Sequence, residues 1–448
     1  MSSGAEPLAQ IVSLSLPEDT KCGHPAQVGG CFCAVRTGGD TLAGTFTIKL
    51  NSNRRQLVEL YFEGVCRTWL PDRDIGHFHA YEHRFLLQVQ CLEARPARHQ
   101  STGYAVTWPA LQTIPFVFQI PWTIPAETVG SNSRQDQADH GLYPSAKIGR
   151  TYFDSANDKI FAQPFITYTL SASIRRNVTT RPFRQCISRP IKVMPTTAAP
   201  PPVDTTSFEG EYVRVARANL RNSFYSRSFG SLAFSADEPQ VIRLPEQFSQ
   251  SQTTVFLRIS FQHIRTEVKL KTIPYDWKFE VSSRLQRRVF CATHPLARMP
   301  TIADASGSSK IGLRTEILSA EKQRYEHLAW RNNHTTPHGT ILLSDNKAAS
   351  WITTIPIKVS ADSSLFPSFF CATCSLRYSI LIDIRVVGAW SSHSSLAVPV
   401  QIISPARKMI QLERDNERIS GTQLAESPGG DLGAAQESRP PDYRPTPF

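Results

Sequence analysis

The chain has 448 residues, of which 40% are hydrophobic, so it is too long for a single hydrophobic core and too apolar to be disordered. Its formal net charge of +11 favours acidic partners. No run of residues is apolar enough to span a membrane, and the opening residues lack the basic start and apolar stretch of a signal peptide. We therefore expect a cytoplasmic protein of two domains whose nine cysteines are reduced.

The predicted elements in the first half are short strands. Apolar and polar residues alternate, as they do in half-buried strands, over residues 11–16, 45–50, 57–62, 85–90 and 116–120. Residues 195–202 (PTTAAPPP) then lack any apolar periodicity and are stiffened by proline. We interpret them as a linker.

Similar strands recur in the second half, between residues 241 and 403. One segment, residues 316–330, has apolar residues near helical spacing and is predicted to be a helix. After residue 405 the chain contains few large apolar residues, so we expect this tail to stay unfolded.

One phrase occurs twice in the sequence. Residues 114–121 (IPFVFQIP) are followed by residues 165–174 (FITYTLSASI), and residues 355–359 (IPIKV) are followed by residues 376–384 (LRYSILIDI). Each copy consists of a short strand, a proline corner and a long strand with a central tyrosine. Such a repeat predicts two similar units in tandem.

The predicted fold class is all-β, with two tandem antiparallel β-sandwich domains and a disordered C-terminal tail. The expected limits are residues 1–195 for the first sandwich, 196–207 for the linker, 208–405 for the second sandwich and 406–448 for the tail. The first copy of the repeated phrase is longer because of a polar segment within residues 126–160, which we interpret as a solvated insertion.

The tail carries a ligand motif. Residues 439–448 (RPPDYRPTPF) contain Pro440, Pro441 and Tyr443 in the pattern P-P-x-Y, which WW domains bind. Consecutive prolines pre-form a polyproline II helix of three residues per turn, so the tyrosine returns to the face of the first proline. We predict that a WW domain docks at these three residues.

A purely basic stretch is a candidate contact for an anionic partner such as a membrane surface. It has no acidic residue and contains Arg175, Arg176, Arg181, Arg184, Arg189 and Lys192. The alternative is that these side chains are solvated outer positions of strands. Aromatic residues are not interleaved with them in a stacking pattern, so no nucleic acid is expected as a partner.

Two patterns have the residue types of metal sites. His77 and His79 would place two imidazoles on one face of a strand, with Glu82 nearby, and an alternative reading of the chain as a β-barrel metalloenzyme rests on them. Cys371 and Cys374 form a C-x-x-C next to a strand, where the two thiols would point to opposite faces, so we predict two buried, small side chains. The chain also lacks the common catalytic motifs. We expect no metal, no cofactor and no enzymatic activity.

The repeated phrases resemble those of the arrestin family, and the resemblance covers roughly residues 8–405. Residues 42–50 resemble the first strand of the family's opening pair. The segments that resemble its N-domain and C-domain signatures are residues 115–121, 166–172, 366–369, 376–380 and 396–400. With its P-P-x-Y motif, the chain is similar to the α-arrestins, most like those of fungi.

This resemblance implies a non-enzymatic adaptor. It implies that the arrestin-like body binds a plasma-membrane transporter or receptor, and that Pro440, Pro441 and Tyr443 recruit a HECT-type ubiquitin ligase through its WW domains. The membrane protein is then ubiquitinated and endocytosed, and the adaptor moves from the cytoplasm to the plasma membrane or endosomes. The alternative is a retromer-like trafficking scaffold of the same fold that recruits no ligase.

Overall fold

A computed structural model describes residues 9–17, 34–51, 55–71, 78–95, 109–125, 141–148, 151–154, 159–162, 164–175, 186–197, 200–221, 225–244, 251–263, 277–332, 350–361, 365–391 and 393–405. All of these except Pro405 belong to one compact unit, Met1–Ser404. The predicted tail, residues 406–448, lies outside the described residues. Among the residues that are described, no helix has the length and hydropathy needed to cross a membrane.

The first half of this unit forms two main sheets. Its strands are β1 (Ala9–Ser15), β2 (Val35–Arg36), β3 (Thr41–Leu50), β4 (Gln56–Pro71), β5 (Phe78–Ala94), β6 (Ala110–Gln119), β7 (Ala146–Lys147), β8 (Thr151–Asp154), β9 (Lys159–Ala162), β10 (Phe165–Arg175) and β11 (Cys186–Val193). One sheet has the order β1-β3-β6, and the other has the order β2-β11-β10-β4-β5 with β7 added to β10. Strands β8 and β9 form a separate pair.

The second half also forms two main sheets. Its elements are β12 (Val215–Arg221), β13 (Gly230–Ala236), β14 (Ile242–Arg243), β15 (Ser251–His263), β16 (Lys278–Ala292), the helix α1 (Ile302–Gly307), β17 (Ile311–Tyr325), β18 (Arg331–Asn332), β19 (Ser350–Ala361), β20 (Phe369–Phe370), β21 (Cys374–Val387), β22 (Trp390–Ser391), β23 (Ser394–Val400) and β24 (Ile402–Ile403). One sheet has the order β18-β19-β15-β13-β12-β22. The other has the order β17-β16-β21-β20 with β23 added to β21.

The strand order of the first half recurs in the second. The order β1-β3-β6 corresponds to β13-β15-β19, and β11-β10-β4-β5 corresponds to β23-β21-β16-β17, with the strands in the same succession along the chain. The pairs within these series are antiparallel. This arrangement confirms the predicted fold class of two tandem antiparallel β-sandwiches.

The core of each sandwich is made by the alternating residues of facing strands. Every second residue of β13 and β15 is buried, because successive side chains of a strand point to opposite faces. In the first sandwich, the rings of Phe62 on β4 and Phe118 on β6 are 6.1 Å apart between centroids. In the second, Phe261 on β15 meets Trp277, which precedes β16, at 5.0 Å. These contacts join the two sheets of each sandwich.

The central tyrosine of the repeated phrase occupies the same position in both sandwiches. Tyr168 on β10 donates its buried hydroxyl to the carbonyl of Tyr143 at 2.7 Å. Tyr378 on β21 donates its hydroxyl to the carbonyl of Phe366 at 2.9 Å. Burial raises the pKa of Tyr378 to about 12, so this hydroxyl keeps its proton and remains a donor at neutral pH. Each acceptor lies in a Leu-aromatic-Pro-Ser segment, residues 142–145 and 365–368.

The serine of each segment forms the same pair of hydrogen bonds. Ser145 donates its N–H to the carbonyl of Val193 at 2.7 Å, and its hydroxyl accepts the N–H of Val193 at 2.9 Å. Ser368 donates its N–H to the carbonyl of Ile402 at 2.8 Å, and its hydroxyl accepts the N–H of Ile402 at 3.0 Å. Both partner strands also pair in parallel with a short strand, β11 with β2 and β24 with β14. The duplication therefore extends to individual hydrogen bonds.

The predicted helix over residues 316–330 is wrong. Most of this segment belongs to β17, which pairs with β16 along its length, with one irregularity between Leu285 and Gln286. The ladder between β16 and β17 pairs the backbone N–H and C=O groups of both strands. This pairing is more favourable than the helix that the weak spacing of apolar residues suggested.

The interpretation of residues 126–160 as a solvated insertion is also wrong where it can be examined. Residues 126–140 lie outside the described residues, but Leu142, Tyr143 and Ile148 are buried. The proline that matches Pro367 of the second copy is Pro144, which follows the carbonyl that accepts the hydroxyl of Tyr168. Part of the segment that we interpreted as an insertion therefore belongs to the core.

We expect Tyr168→Phe to lower the free energy of unfolding by about 1–3 kcal/mol, because the carbonyl of Tyr143 then stays buried without its donor. Urea unfolding followed by fluorescence measures this change. The matched control is Tyr225→Phe, at a side chain that is 94% exposed, which we expect to change stability by less than about 0.5 kcal/mol. Equal effects of the two substitutions would contradict the role of the buried hydroxyl.

Candidate functional site at the junction of the two sandwiches

Half of the predicted site residues lie outside the part of the chain that the structure describes. They are Pro440, Pro441, Tyr443, Arg176, Arg181, Arg184 and His77. Arg175 ends β10, and only its backbone is described. The WW-docking role of the tail therefore stays a prediction.

The two described members of the basic stretch do not share a face of their strand. Arg189 and Lys192 both lie on β11, three residues apart, and residues separated by an odd number face opposite sides of a sheet. Arg189 is half-buried opposite Leu170, whereas Lys192 is exposed. A common basic surface would need the residues that are not described.

The structure does not bring His79 and Glu82 together. Both lie on β5, again three residues apart and so on opposite faces. The carboxylate of Glu82 accepts a hydrogen bond from Arg67 at 2.6 Å. This geometry does not favour the metal site that the sequence pattern suggested for a β-barrel metalloenzyme.

The end of β4 packs against the second sandwich. The buried hydroxyl of Thr68 donates to the carbonyl of Ala292, at the end of β16, at 2.6 Å. Leu70 packs so closely on Gly312 of β17 that a Cβ at this glycine would lie 2.5 Å from a methyl of Leu70. The contact therefore depends on a glycine that leaves room for the leucine.

Three buried thiols meet at this junction. The Sγ atom of Cys66 on β4 is 3.8 Å from that of Cys371 and 3.6 Å from that of Cys374. The Sγ atoms of Cys371 and Cys374 are 2.9 Å apart. Beside them, the rings of Tyr143 and Phe369, one from each sandwich, are 6.4 Å apart. The cluster thus joins residues that the sequence separates by 305 positions.

The prediction that Cys371 and Cys374 are buried is confirmed, but the prediction that they face opposite sides is wrong. They flank a tight turn between β20 and β21 rather than lying on one strand. The N–H of Cys371 donates to the carbonyl of Cys374 at 2.8 Å, and the N–H of Cys374 donates to the sulfur of Cys371 at 3.2 Å. The turn thereby directs both thiols to the same point.

The electrostatics of the cluster favour one shared negative charge. Burial acts to raise the pKa of Cys371, but hydrogen bonds from the thiols of Cys374 and Cys66 and from backbone N–H groups outweigh it and bring that pKa well below its usual value. The hydrogen bond to Cys371 raises the pKa of Cys66, and burial raises the pKa of Cys374. The three thiols thus form one hydrogen-bonded group, in which Cys371 is the most readily ionised.

A buried ion network lies on β16 and on β21, the strand that begins at Cys374. Arg288 on β16 and Arg377 on β21 are directly opposite each other. Two like charges in this position repel each other and lower stability unless an opposite charge lies nearby. The carboxylate of Glu211 lies 3.3 Å from Arg288 and 3.2 Å from Arg377. Its other oxygen accepts the N–H of Ile302 at 2.6 Å, and Arg377 also donates to the carbonyl of Pro300 at 2.6 Å. One carboxylate therefore pairs with two cations, which reduces the repulsion between them.

A cavity of about 770 Å³ lies beside this network. Its walls are mainly apolar and include Pro200 and Val203, which precede β12, and Tyr378 of the second sandwich. Arg377 also lines it, with its guanidinium 4.4 Å from the ring centroid of Phe208. A cavity of this size and character suits an apolar group or a short extended peptide.

The sequence alone revealed neither the thiol cluster nor the ion network. The C-x-x-C at residues 371–374 was the one visible signal, and nothing in the sequence pairs it with Cys66. No protein-family model matches this chain, and comparison with curated proteins finds no match either.

We expect Glu211→Gln to lower the free energy of unfolding by about 3–5 kcal/mol, because the two arginines then lie buried without a counter-charge. Urea unfolding measures the loss. Glu209→Gln is the matched control, since Glu209 is exposed and two residues away, and we expect it to have an effect below about 0.5 kcal/mol. A neutral outcome for Glu211→Gln would show that the arginines do not depend on this carboxylate.

Proposed function

We propose that this protein is a non-enzymatic adaptor of the arrestin type. Its two sandwiches bind a membrane transporter or receptor, and its P-P-x-Y motif recruits a HECT-type ubiquitin ligase through a WW domain. The bound membrane protein is then ubiquitinated and endocytosed.

The observation that carries this proposal is the duplicated sandwich, with the same strand order and the same tyrosine corner in each half. Two sandwiches packed through a buried junction offer a large binding surface held in a fixed geometry. The same duplication underlies the resemblance to the arrestin family in the repeated phrases. Because a fold alone does not specify a function, the ligase half of the proposal rests on the tail motif.

The position of the motif supports its use as a ligand. By contacts, the chain divides after Ser404, so Pro440, Pro441 and Tyr443 are not part of the unit that holds both sandwiches. The basic residues Arg175 to Lys192 are a further candidate contact, for an acidic segment of the membrane protein or for anionic lipid.

We expect Tyr443→Ala in the full-length chain to weaken binding to the WW domains of a HECT ligase at least about tenfold, or about 1.4 kcal/mol. The reason is that the tyrosine ring and the two prolines share one face of the polyproline II helix. Surface-based binding measurements with immobilised WW domains test this. The matched control is Pro447→Ala, in the same tail but outside the motif, and it should bind like the unchanged chain.

Proximity labelling in cells separates the two halves of the proposal. We expect Tyr443→Ala to lose the ligase from the labelled proteins and to keep the membrane protein. Equally weak WW binding by the unchanged chain and by Tyr443→Ala would remove the ligase half and leave the retromer-like scaffold as the better reading.

A further inference from the structure

The thiol cluster connects the two sandwiches at a single buried point. Cys66 comes from β4 of the first sandwich, while Cys371 and Cys374 flank the turn before β21 of the second. The three sulfur atoms all lie within 4.8 Å of one another. Three soft donors that converge from different parts of the chain are the ligand type that zinc prefers in closed structural sites.

Two of the three distances between the sulfur atoms fit a tetrahedral zinc site. With Zn–S bonds of about 2.3 Å, two ligand sulfurs of a tetrahedron lie about 3.8 Å apart. Cys66 meets this distance to both partners, at 3.8 and 3.6 Å. The third pair, Cys371 and Cys374, is 2.9 Å apart and needs to open by about 0.9 Å, which a small side-chain rotation provides.

The turn at residues 371–374 is built to support thiolate ligands. The N–H of Cys374 points at the sulfur of Cys371, at 3.2 Å, and such a hydrogen bond stabilises a negative sulfur. The hydroxyl of Thr373 lies 3.1 Å from the sulfur of Cys66. Hydrogen bonds of this kind orient the ligands of metal sites and adjust their charge.

His83 is placed to supply a fourth ligand. It is the cross-strand partner of Cys66 in the ladder of β4 and β5, so the two side chains lie on the same face with Cβ atoms about 4.5–5.5 Å apart. His83 is half-buried, and its ring nitrogens are not within the group of three sulfur atoms that lie within 4.8 Å of one another. Binding the metal therefore requires its side chain to rotate towards the cluster.

We propose that Cys66, Cys371, Cys374 and His83 bind a zinc ion that fastens the first sandwich to the second. On binding, Zn²⁺ replaces the protons carried by the thiols, which pass to solvent, and no electron is transferred. The site is structural, because all of its ligands come from the protein and its sulfurs are buried. It explains why three cysteines, rather than two, converge at the junction.

A disulfide accounts for the cluster less well. It would join two of the sulfurs at about 2.05 Å and leave the third without a role. In the structure none of these three cysteines is in a disulfide, and Cys66 lies almost equally far from both partners. The geometry therefore favours a shared ion over one covalent pair.

Metal analysis of the full-length chain, purified through a tag that binds no metal, tests the site. We expect about one zinc per chain, surviving dialysis, and less than about 0.2 in Cys66→Ser, which removes the thiol that the first sandwich contributes to the cluster. The matched control is Cys91→Ser, at an exposed cysteine of β5, which should keep the full zinc content. Chelation should lower the thermal midpoint of the unchanged chain by about 2 °C or more, and should not lower that of Cys66→Ser.

Cobalt substitution keeps the test decisive even if Cys66→Ser fails to fold. The unchanged chain, reduced and loaded with Co²⁺, should show a near-ultraviolet charge-transfer band of the intensity of three thiolate ligands. His83→Ala should bind Co²⁺ at least about tenfold more weakly, and unchanged affinity would overturn its assignment as the fourth ligand. Zinc that is absent or lost on dialysis, copper in its place, or no thiolate band after reduction would each overturn the site.

Discussion

The hydrogen bond from a buried tyrosine to a carbonyl in a proline corner is the constraint on which both sandwiches depend. Tyr168 lies on β10 and Tyr378 on β21, and each hydroxyl donates to a carbonyl of its corner, so the corner is held at a fixed distance from that strand. In the first sandwich the ring of Tyr168 packs against Phe62 and Phe85, and Gly64 makes this possible because a Cβ there would come within 2.5 Å of Phe85. The serine two residues after each acceptor then ties the corner to the last strand of the same sandwich. In each sandwich, the tyrosine hydroxyl, the proline of the corner and the serine that follows it thus determine where the chain leaves one sheet and enters the next.

The junction follows from the same corners. The segment that accepts the tyrosine hydroxyl in the second sandwich runs directly into the turn of Cys371 and Cys374, and the aromatic residue of the first corner, Tyr143, contacts Phe369 beside it. The polar groups buried at this junction have their hydrogen-bond and ion-pair partners on other elements of the chain. The hydroxyl of Thr68 donates to a carbonyl of the second sandwich, and the arginines of β16 and β21 share the carboxylate of Glu211. Burying such groups costs free energy unless they are paired, so this contact is specific as well as apolar.

This organisation suits an adaptor. In the adaptor that we propose, the two joined sandwiches would bind the membrane protein and the P-P-x-Y motif would bind the ligase. The cavity next to Arg377 lies between the segment that precedes β12 and the second sandwich, where an apolar group of a partner would be enclosed. A zinc ion at the thiol cluster would make the relation between the sandwiches depend on metal supply and on the redox state of the cell, because oxidised thiols no longer bind the ion.

The sequence by itself determined the fold class, because strand alternation and a repeated phrase are local patterns that survive in any arrangement of the strands. It also pointed to the two central tyrosines, and it displayed the P-P-x-Y motif in full, since a linear ligand needs no tertiary structure. The predictions from sequence were wrong where contacts with residues far away in the sequence are stronger than the local preference of a segment. Residues 316–325 follow β16 into a sheet despite their helical spacing, and the corner at Pro144 is recognised only by the tyrosine hydroxyl that reaches it from residue 168. Only the tertiary structure could join Cys66 to Cys371 and Cys374, or Glu211 to its two arginines, because such groups meet through the packing of sheets, and sheet packing leaves no periodic trace in the sequence.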